Sequence, residues 1–490
     1  MPTAFHSRFP RIAILAALAA GLLASTPAHA AGAFKIPAPA AGPNTRALET
    51  ALDRYVATPD PTFAWHAVGK VSRDGATVVS IDMSSQTWLT TNEVNRTVWR
   101  HWLTIVRPDN LDSDTALLFI AGGNNRDNQP PKPGKELAQI ALGTRSVVAE
   151  LKMVPNQTLV FGGDGHERNE DDLIAYTWDK YMRTGDERWP ARLPMTKAAV
   201  RALDTVEAWT GSADGGGKKV SKFVVAGGSK RGWTTWTTAI VDKRVVAICP
   251  IVIDVLNLPE SMVHHFRAYG FFAPAVGNYS EQHIMDWLGT PEMTALCKIE
   301  DPFQYRARLT MPKLVMNAGG DQFFLPDSSQ FYFDRLPGTK YLRYVPNADH
   351  SLRGSDAYET LAAWQWATSH RTVLPRFSWS NEADGSIRVE TQDKPKSAKL
   401  WQIHNQDARD FRLEAIGPAW WATQLADEGK QVFRGKPTAA TKGWTAFMIE
   451  LTYDIGAPVP LKLTTAVRVT PDTLPFAAPN PTRPKGFLQR

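Results

Sequence analysis

Three residues far apart in the chain, Ser229, Asp321 and His350, have the types and settings needed for acyl-transfer chemistry. Ser229 lies in residues 222–232, K-F-V-V-A-G-G-S-K-R-G. An apolar run short enough for a buried strand meets two glycines and the serine, and a helical run (Trp233, Thr234, Thr235, Trp236, Ala239, Ile240) follows at once. A serine on such a sharp turn stands clear of the sheet at the positive end of a helix, where an oxyanion is favoured. The turn crowds its neighbours, so the position two before the serine must be small, and Gly227 is. The match to G-x-S-x-G is incomplete, because Arg231 stands two after the serine and glycine is delayed to Gly232. Alone, the turn would serve a phosphate-binding loop equally well. Asp321 and His350 each fall just past the carboxyl end of an expected strand, which is the edge where an open parallel sheet assembles its ligand site. The histidine can take the serine proton and deliver it to the leaving group, while the aspartate holds the imidazole tautomer. Asp327, Asp349, Asp356 and, more distantly, Asp254 compete as the acid. Asp321 is preferred because Gly319 and Gly320 let the chain turn its side chain inward.

The order Ser, Asp, His is that of the α/β-hydrolase fold, and the positioning elements fit it. Alternating residues predict antiparallel strands at 76–83 and 95–106. Apolar runs predict strands at 116–121, 146–151, 245–253, 312–317 and 341–345. Helical spacing marks 45–55, 134–142, 173–182, 195–209, 328–336 and 358–368. One oxyanion donor is then the N–H of Lys230. The other comes from the loop after the third strand, here Gly122-Gly123-Asn124, with Gly123 and Asn124 as the donors unless the glycines only make a tight turn. Glu170, Asp171 and Asp172 open a helix, where acids are stabilising. The sharper reading is that Glu170 receives a substrate amine, as an aminopeptidase needs. Residues 254–310 break the strand–helix alternation and read as a lid insertion. His264-His265 within it has no acid or cysteine partners at ligand-like spacing, so neither a metal nor a cofactor is expected.

After His370 the pattern changes to short alternating runs at 377–379, 386–390, 400–403, 410–415, 445–453 and 461–469, with Asp384-Gly385 as a hairpin signal. They predict an immunoglobulin-like or fibronectin-like β-sandwich over 372–474, beside a hydrolase domain at 31–371 and before a flexible tail at 475–490. Trp420-Trp421 is a possible binding patch there, with plain packing the alternative. The chain has 490 residues, 43% of them hydrophobic, and a formal charge of +6 without basic runs, which excludes a nucleic-acid footprint. Residues 1–30 read as a secretory signal peptide: Arg8 and Arg11, an apolar stretch too short to span a bilayer, then Ala28-His29-Ala30. The mature protein is therefore expected in the periplasm or outside the cell, with no membrane span. Cys249 and Cys297 are the only cysteines and could pair there.

Four stretches carry a resemblance: G-G-S-K-R-G-W-T-T-W (227–236), E-D-D-L-I-A-Y-T-W (170–178), R-L-P-M-T-K-A-A-V-R-A (192–202) and A-G-G-D-Q-F-F (318–324). The chain resembles the PhoPQ-activated pathogenicity-related protein family from about residue 45 into its C-terminal region. The resemblance implies an exported protein with an α/β-hydrolase core and says little of substrate, beyond a likeness to dipeptidyl-peptidase-like hydrolases. The elbow alone also resembles that of glucuronoyl esterases, which place a basic residue directly after the serine. Lys230 or Arg231 would then add a cation to the oxyanion site or meet an acidic group on the substrate. The alternative is that both pack along the helix and pair with nearby acids. The expectation is thus an exported serine hydrolase, first a peptidase of the aminopeptidase or dipeptidyl-peptidase kind, second a carboxylic ester hydrolase. A catalytically silent hydrolase fold that binds or signals is the rival.

Overall fold

The computed structural model describes residues 49–481. The expected signal peptide (1–30) and the end of the tail (482–490) lie outside the described residues. Helix α1 (Ala51–Ala57) precedes strands β1 (Ala64–Arg73), β2 (Ala76–Thr87), β3 (Val98–Pro108) and β4 (Thr115–Ile120). Helix α2 (Lys135–Thr144), strand β5 (Val148–Leu151) and helices α3 (Glu170–Thr184) and α4 (Arg192–Gly211) follow. The elbow strand β6 (Lys222–Gly228) runs into α5 (Lys230–Val241) and then β7 (Val245–Ile251). Between β7 and β8 (Lys313–Ala318) lie α6 (Leu258–Tyr269), α7 (Gly277–Glu281), α8 (Pro291–Glu300) and short 3-10 turns. Strand β9 (Lys340–Val345) and helix α9 (Ala357–Ser369) complete the central part.

These strands lie in the order β1-β2-β3-β5-β4-β6-β7-β8-β9. β3 is antiparallel to both neighbours, and from β5 to β9 every pairing is parallel. With β5 outside β4 and the chain crossing back to β6, this is the α/β-hydrolase arrangement. Side chains alternate between two buried faces, as a parallel core requires. Phe223 and Val225 of β6 enter one core with Leu203 and Trp236 of the helices; Val224 and Ala226 enter the other with Ile140 and Trp364. Cys249 and Cys297 fall in these two separate cores and are free, so the possible bridge is not formed.

The C-terminal part departs from expectation. It comprises β10 (Phe377–Asn381), β11 (Ile387–Thr391), β12 (Ser397–Asn405), α10 (Leu413–Ile416), β13 (Trp421–Gln424), β14 (Val432–Gly435), β15 (Trp444–Tyr453), β16 (Leu461–Thr464) and β17 (Arg468–Thr470). Instead of a free-standing sandwich, β16, β15, β12 and β13 continue the central sheet beyond β9, with Thr464 opposite Leu342. The second layer, β10-β11-β14, covers that extension so closely that a Cβ on Gly435 would sit 3.0 Å from Leu400. The strand expected at 461–469 splits into β16 and β17, because Thr465 steps out of register and its Oγ1 accepts the Ile449 N–H at 3.1 Å. The strand expected at 410–415 turns into α10, where Leu413 donates its N–H to Gly320 O at 2.9 Å. Residues 328–336 form two 3-10 turns instead of one helix. The tail is held at Phe476, whose N–H bonds Arg267 O at 3.1 Å. Among the described residues no helix is long and apolar enough to cross a membrane.

Candidate active site

Ser229 has φ +58° and ψ −126°, a conformation that ordinary residues avoid and that the elbow imposes. Its N–H bonds Ile251 O at 2.8 Å, and α5 starts at the next residue. The delayed glycine now has a reason. A Cβ on Gly232 would lie 2.8 Å from Ile251 O and 2.9 Å from Gly227 O, so closeness to β7 falls one residue later than usual. Position 231 instead has room for an arginine, which runs beneath Gly122: a Cβ there would meet Arg231 Nη2 at 2.7 Å.

Asp321 and His350 are brought together by backbone bonds between their loops. Gly319 N–H donates to Val345 O at 2.8 Å, and Gly320 N–H to Ala348 O at 3.0 Å. His350 Nδ1 lies 2.9 and 2.8 Å from the two oxygens of the buried Asp321 carboxylate. Phe323 N–H donates to Asp321 Oδ1 at 2.8 Å, His350 N–H donates to Gln322 Oε1 at 2.8 Å, and the Phe323 ring lies 4.2 Å from the imidazole. The carboxylate therefore accepts the hydrogen bond from Nδ1–H, which keeps the proton on Nδ1 and leaves Nε2 as the acceptor atom. That Nε2 is buried and has no hydrogen-bond partner among the described residues. The rival acids are occupied elsewhere: Asp327 by His264 and Arg409, Asp349 by Ser351, Asp356 by Arg343 and Lys462, Asp254 by Tyr332 and Tyr344. Burial pushes Asp254 up to about 8 in spite of its tyrosine partners.

The residues expected to meet substrate are paired with one another. Glu170 Oε1 accepts from Arg231 Nη2 at 2.5 Å and Gln157 Nε2 at 2.6 Å, and its Oε2 lies 2.8 Å from Lys230 Nζ. Arg231 Nε donates to Val154 O at 2.6 Å, and Lys230 Nζ also reaches Asp171 at 3.1 Å. Glu170 and Arg231, expected to meet substrate, thus have the pairings of the packing alternative. Burial alone would raise the Glu170 carboxyl, but the Lys230 and Arg231 cations win and hold it at about 2. Because that pKa is depressed, its stabilisation is complete above the ordinary carboxylate range and is lost as pH falls toward 2. Urea midpoints measured at pH 5 and pH 2.5 should therefore drop further for the wild type than for Glu170→Gln. Equal drops would remove this carboxylate from the acid limb.

Of the expected oxyanion donors, Lys230 N–H is among the first N–H groups of α5, which have no partner within their helix. Gly123 has φ +142°, which suits glycine. Asn124 is a correction: its N–H is spent on Asp127 Oδ2 at 3.0 Å.

Ser229 and Lys230 line a narrow cavity of about 50 Å³ that continues into open solvent, with far walls from the segment between β7 and β8. Beside that wall Arg192 of α4 donates to Glu300 at 3.2 Å and to Lys230 O at 2.9 Å, and lies 4.5 Å over Trp233. Burial lifts Glu300 to about 7 against the pull of Arg192. One sequence could not reveal this pair, since 108 positions separate its members. Among the described residues no group of three or more His, Cys, Asp or Glu is arranged to hold a metal ion. His264 bonds Asp327 at 3.1 Å, and His265 Nε2 accepts the Ala273 N–H at 2.9 Å.

The family model for PhoPQ-activated pathogenicity-related protein matches residues 52–412, which include Ser229, Asp321 and His350. Autocrine proliferation repressor protein A of Dictyostelium discoideum is 35% identical over 460 residues, 88% of this chain and 92% of its own. Acetyl xylan esterase 1 from Thermoanaerobacterium sp. is similar with a TM-score of 0.45 and 13% identity, over 65% of this chain and 92% of that one. A glucuronoyl esterase from Solibacter usitatus gives a TM-score of 0.36 and 12% identity, over 65% of this chain and 91% of its own. With a family match across most of its length and a close full-length relative, the chain belongs to the PhoPQ-activated pathogenicity-related protein family.

Proposed function

We propose that the protein is a carboxylic ester hydrolase acting through an acyl-enzyme on Ser229. The observation that carries this reading is His350, clamped through Nδ1 by Asp321, with a buried, unpartnered Nε2, at the end of the strand three places from the elbow strand in the same sheet. Ser229 Oγ attacks the ester carbonyl while His350 Nε2 takes its proton. The carbonyl oxygen becomes an oxyanion facing the N–H groups of Lys230 and Gly123. Collapse expels the alcohol, which leaves with the proton held by His350. Water, deprotonated by the same imidazole, then attacks the acyl carbon and frees the acid.

Ester is favoured over peptide because the amine anchor is already spent: both Glu170 oxygens are taken by Lys230, Arg231 and Gln157. The helices between β7 and β8 act as a lid over the cavity. The leader at 1–30 supports export to the periplasm or beyond. A second reading, a secreted signal that works by binding, draws on the name of the Dictyostelium relative.

The test is labelling of the purified mature protein with a fluorophosphonate, beside Ser229→Ala and His350→Ala, followed by short esters and free-amine dipeptide substrates. Labelling should be present in the wild type and lost in both variants, with esters turned over and dipeptides left intact. An unlabelled wild type would transfer the argument to the binding role, and dipeptide cleavage would restore the peptidase.

A further inference from the structure

The cavity beside Ser229 has a chemistry of its own. Leu258 and Met262 of α6, Met285 and Leu288 of the turn after α7, Met293 of α8 and Phe323 after β8 all face it, and the first five are at most 9% exposed. Its two charged wall side chains besides Lys230 are engaged with neighbours, while the Trp178 Nε1–H at the same wall has no hydrogen-bond partner among the described residues. Asp171 is held by Lys230 at 3.1 Å and by the Tyr279 hydroxyl at 3.0 Å, and Arg192 by Glu300 and Lys230 O. A hydroxylated sugar entering here would give up its bonds to water and find those groups already engaged, which is costly. An alkyl chain gives up nothing and gains burial. The methionines add side chains that adapt to chains of different length.

Resting on the hydrolase reading above, we infer that the substrates are esters carrying an alkyl chain longer than four carbons, and that the insertion between β7 and β8 is the chain-binding wall. The chain is seated from Ser229 inward, against Leu288 and Met293. Each methylene that becomes buried should raise kcat/KM about fourfold until the cavity is full.

Two substrate series test this. The first varies the acyl chain of p-nitrophenyl esters from acetyl to decanoyl, and the second varies the alcohol of alkyl acetates over the same range. In the series whose chain enters the cavity, the octanoyl or octyl member should exceed the shortest by at least about tenfold, with a maximum rather than a plateau. Leu288→Trp should lower that ratio, and Leu288→Ala should move the maximum to longer chains. Opposite shifts from one position cannot come from general loss of fold. Calorimetry of octanoate and 1-octanol with Ser229→Ala supplies a readout free of catalysis. Short esters turned over with no rise along either series, and neither octyl compound bound, would overturn the chain site and leave the hydrolase standing. Binding that Leu288→Trp abolishes, with no ester turned over, would keep the chain site and overturn the hydrolase.

Discussion

Ser229→Ala and His350→Ala should each lower kcat for ester hydrolysis by about 10⁶, and the double variant should lose no more than either alone. The non-additivity is the informative part, since a nucleophile without its base and a base without its nucleophile perform the same missing step. Asp321→Asn should cost about 10⁴, for a reason the hydrogen bonds specify. Oδ1 accepts the Phe323 N–H at 2.8 Å, so the amide carbonyl takes that place and the amide NH2 takes the place of Oδ2. Both oxygens face His350 Nδ1, Oδ2 at 2.8 Å and Oδ1 at 2.9 Å, but Oδ1 is shared with the backbone donor and Oδ2 serves the imidazole alone. An NH2 there turns Nδ1 into an acceptor, moves the ring proton to Nε2 and leaves no base for Ser229. Michaelis–Menten kinetics on one short ester measure all four proteins, with KM expected to change little. A loss below tenfold for Asp321→Asn would mean that another carboxylate serves His350, and additive losses in the double variant would mean that Ser229 and His350 do not act as a unit.

The parts of this site that the sequence made legible are those governed by local rules. A buried strand, a forced turn and a helix leave a readable pattern at 222–232, and so does a glycine pair before an acid at a strand end. What sequence could not decide was whether Glu170, Lys230 and Arg231 face a substrate or each other. The answer depends on Gly122, more than a hundred positions from Arg231, being small enough for the arginine to lie beneath it. Trp420-Trp421 shows the same limit. Trp421 is 48% exposed on the edge strand, but Trp420 is 4% exposed and works inside the molecule. Its Nε1 donates to Gly319 O at 3.2 Å, and its backbone N–H and C=O both bond the Asn347 side chain at 2.8 Å. It braces the loop before Asp321 and the loop before His350 at once. Alternation marked β10, β11, β12 and β15, missed β13 and β14 and misplaced a strand on α10, and a period of two says nothing about which sheet a strand joins.

That joining has a large consequence. A chain ending at residue 371 should fail to accumulate as a folded monomer, although a boundary there would suit a hydrolase domain with a separate sandwich. Truncation uncovers the edge of β9, which becomes a template for pairing with other chains. It also removes Leu413 and Trp420 from the acid and histidine loops. Most costly is Arg343 of β9, 1% exposed, whose Nη1 lies 2.5 Å from Glu450 of β15 and whose Nη2 lies 2.9 Å from Asp356. Arg343→Met in the full chain isolates the question. It leaves Glu450, itself 4% exposed, without its cation, while Asp356 keeps Lys462 at 2.6 Å. Urea unfolding should show a loss of about 3–5 kcal/mol, the usual result of stripping one partner from a buried pair. Adding Glu450→Met should recover most of it, because an apolar pair of similar volume carries no desolvation penalty. Recovery would assign the loss to the stranded carboxylate. If Arg343→Met is neutral and the 371-residue chain is soluble, monomeric and active, the C-terminal strands are an appendage, and the continuous sheet contributes nothing to holding Asp321 and His350 in place.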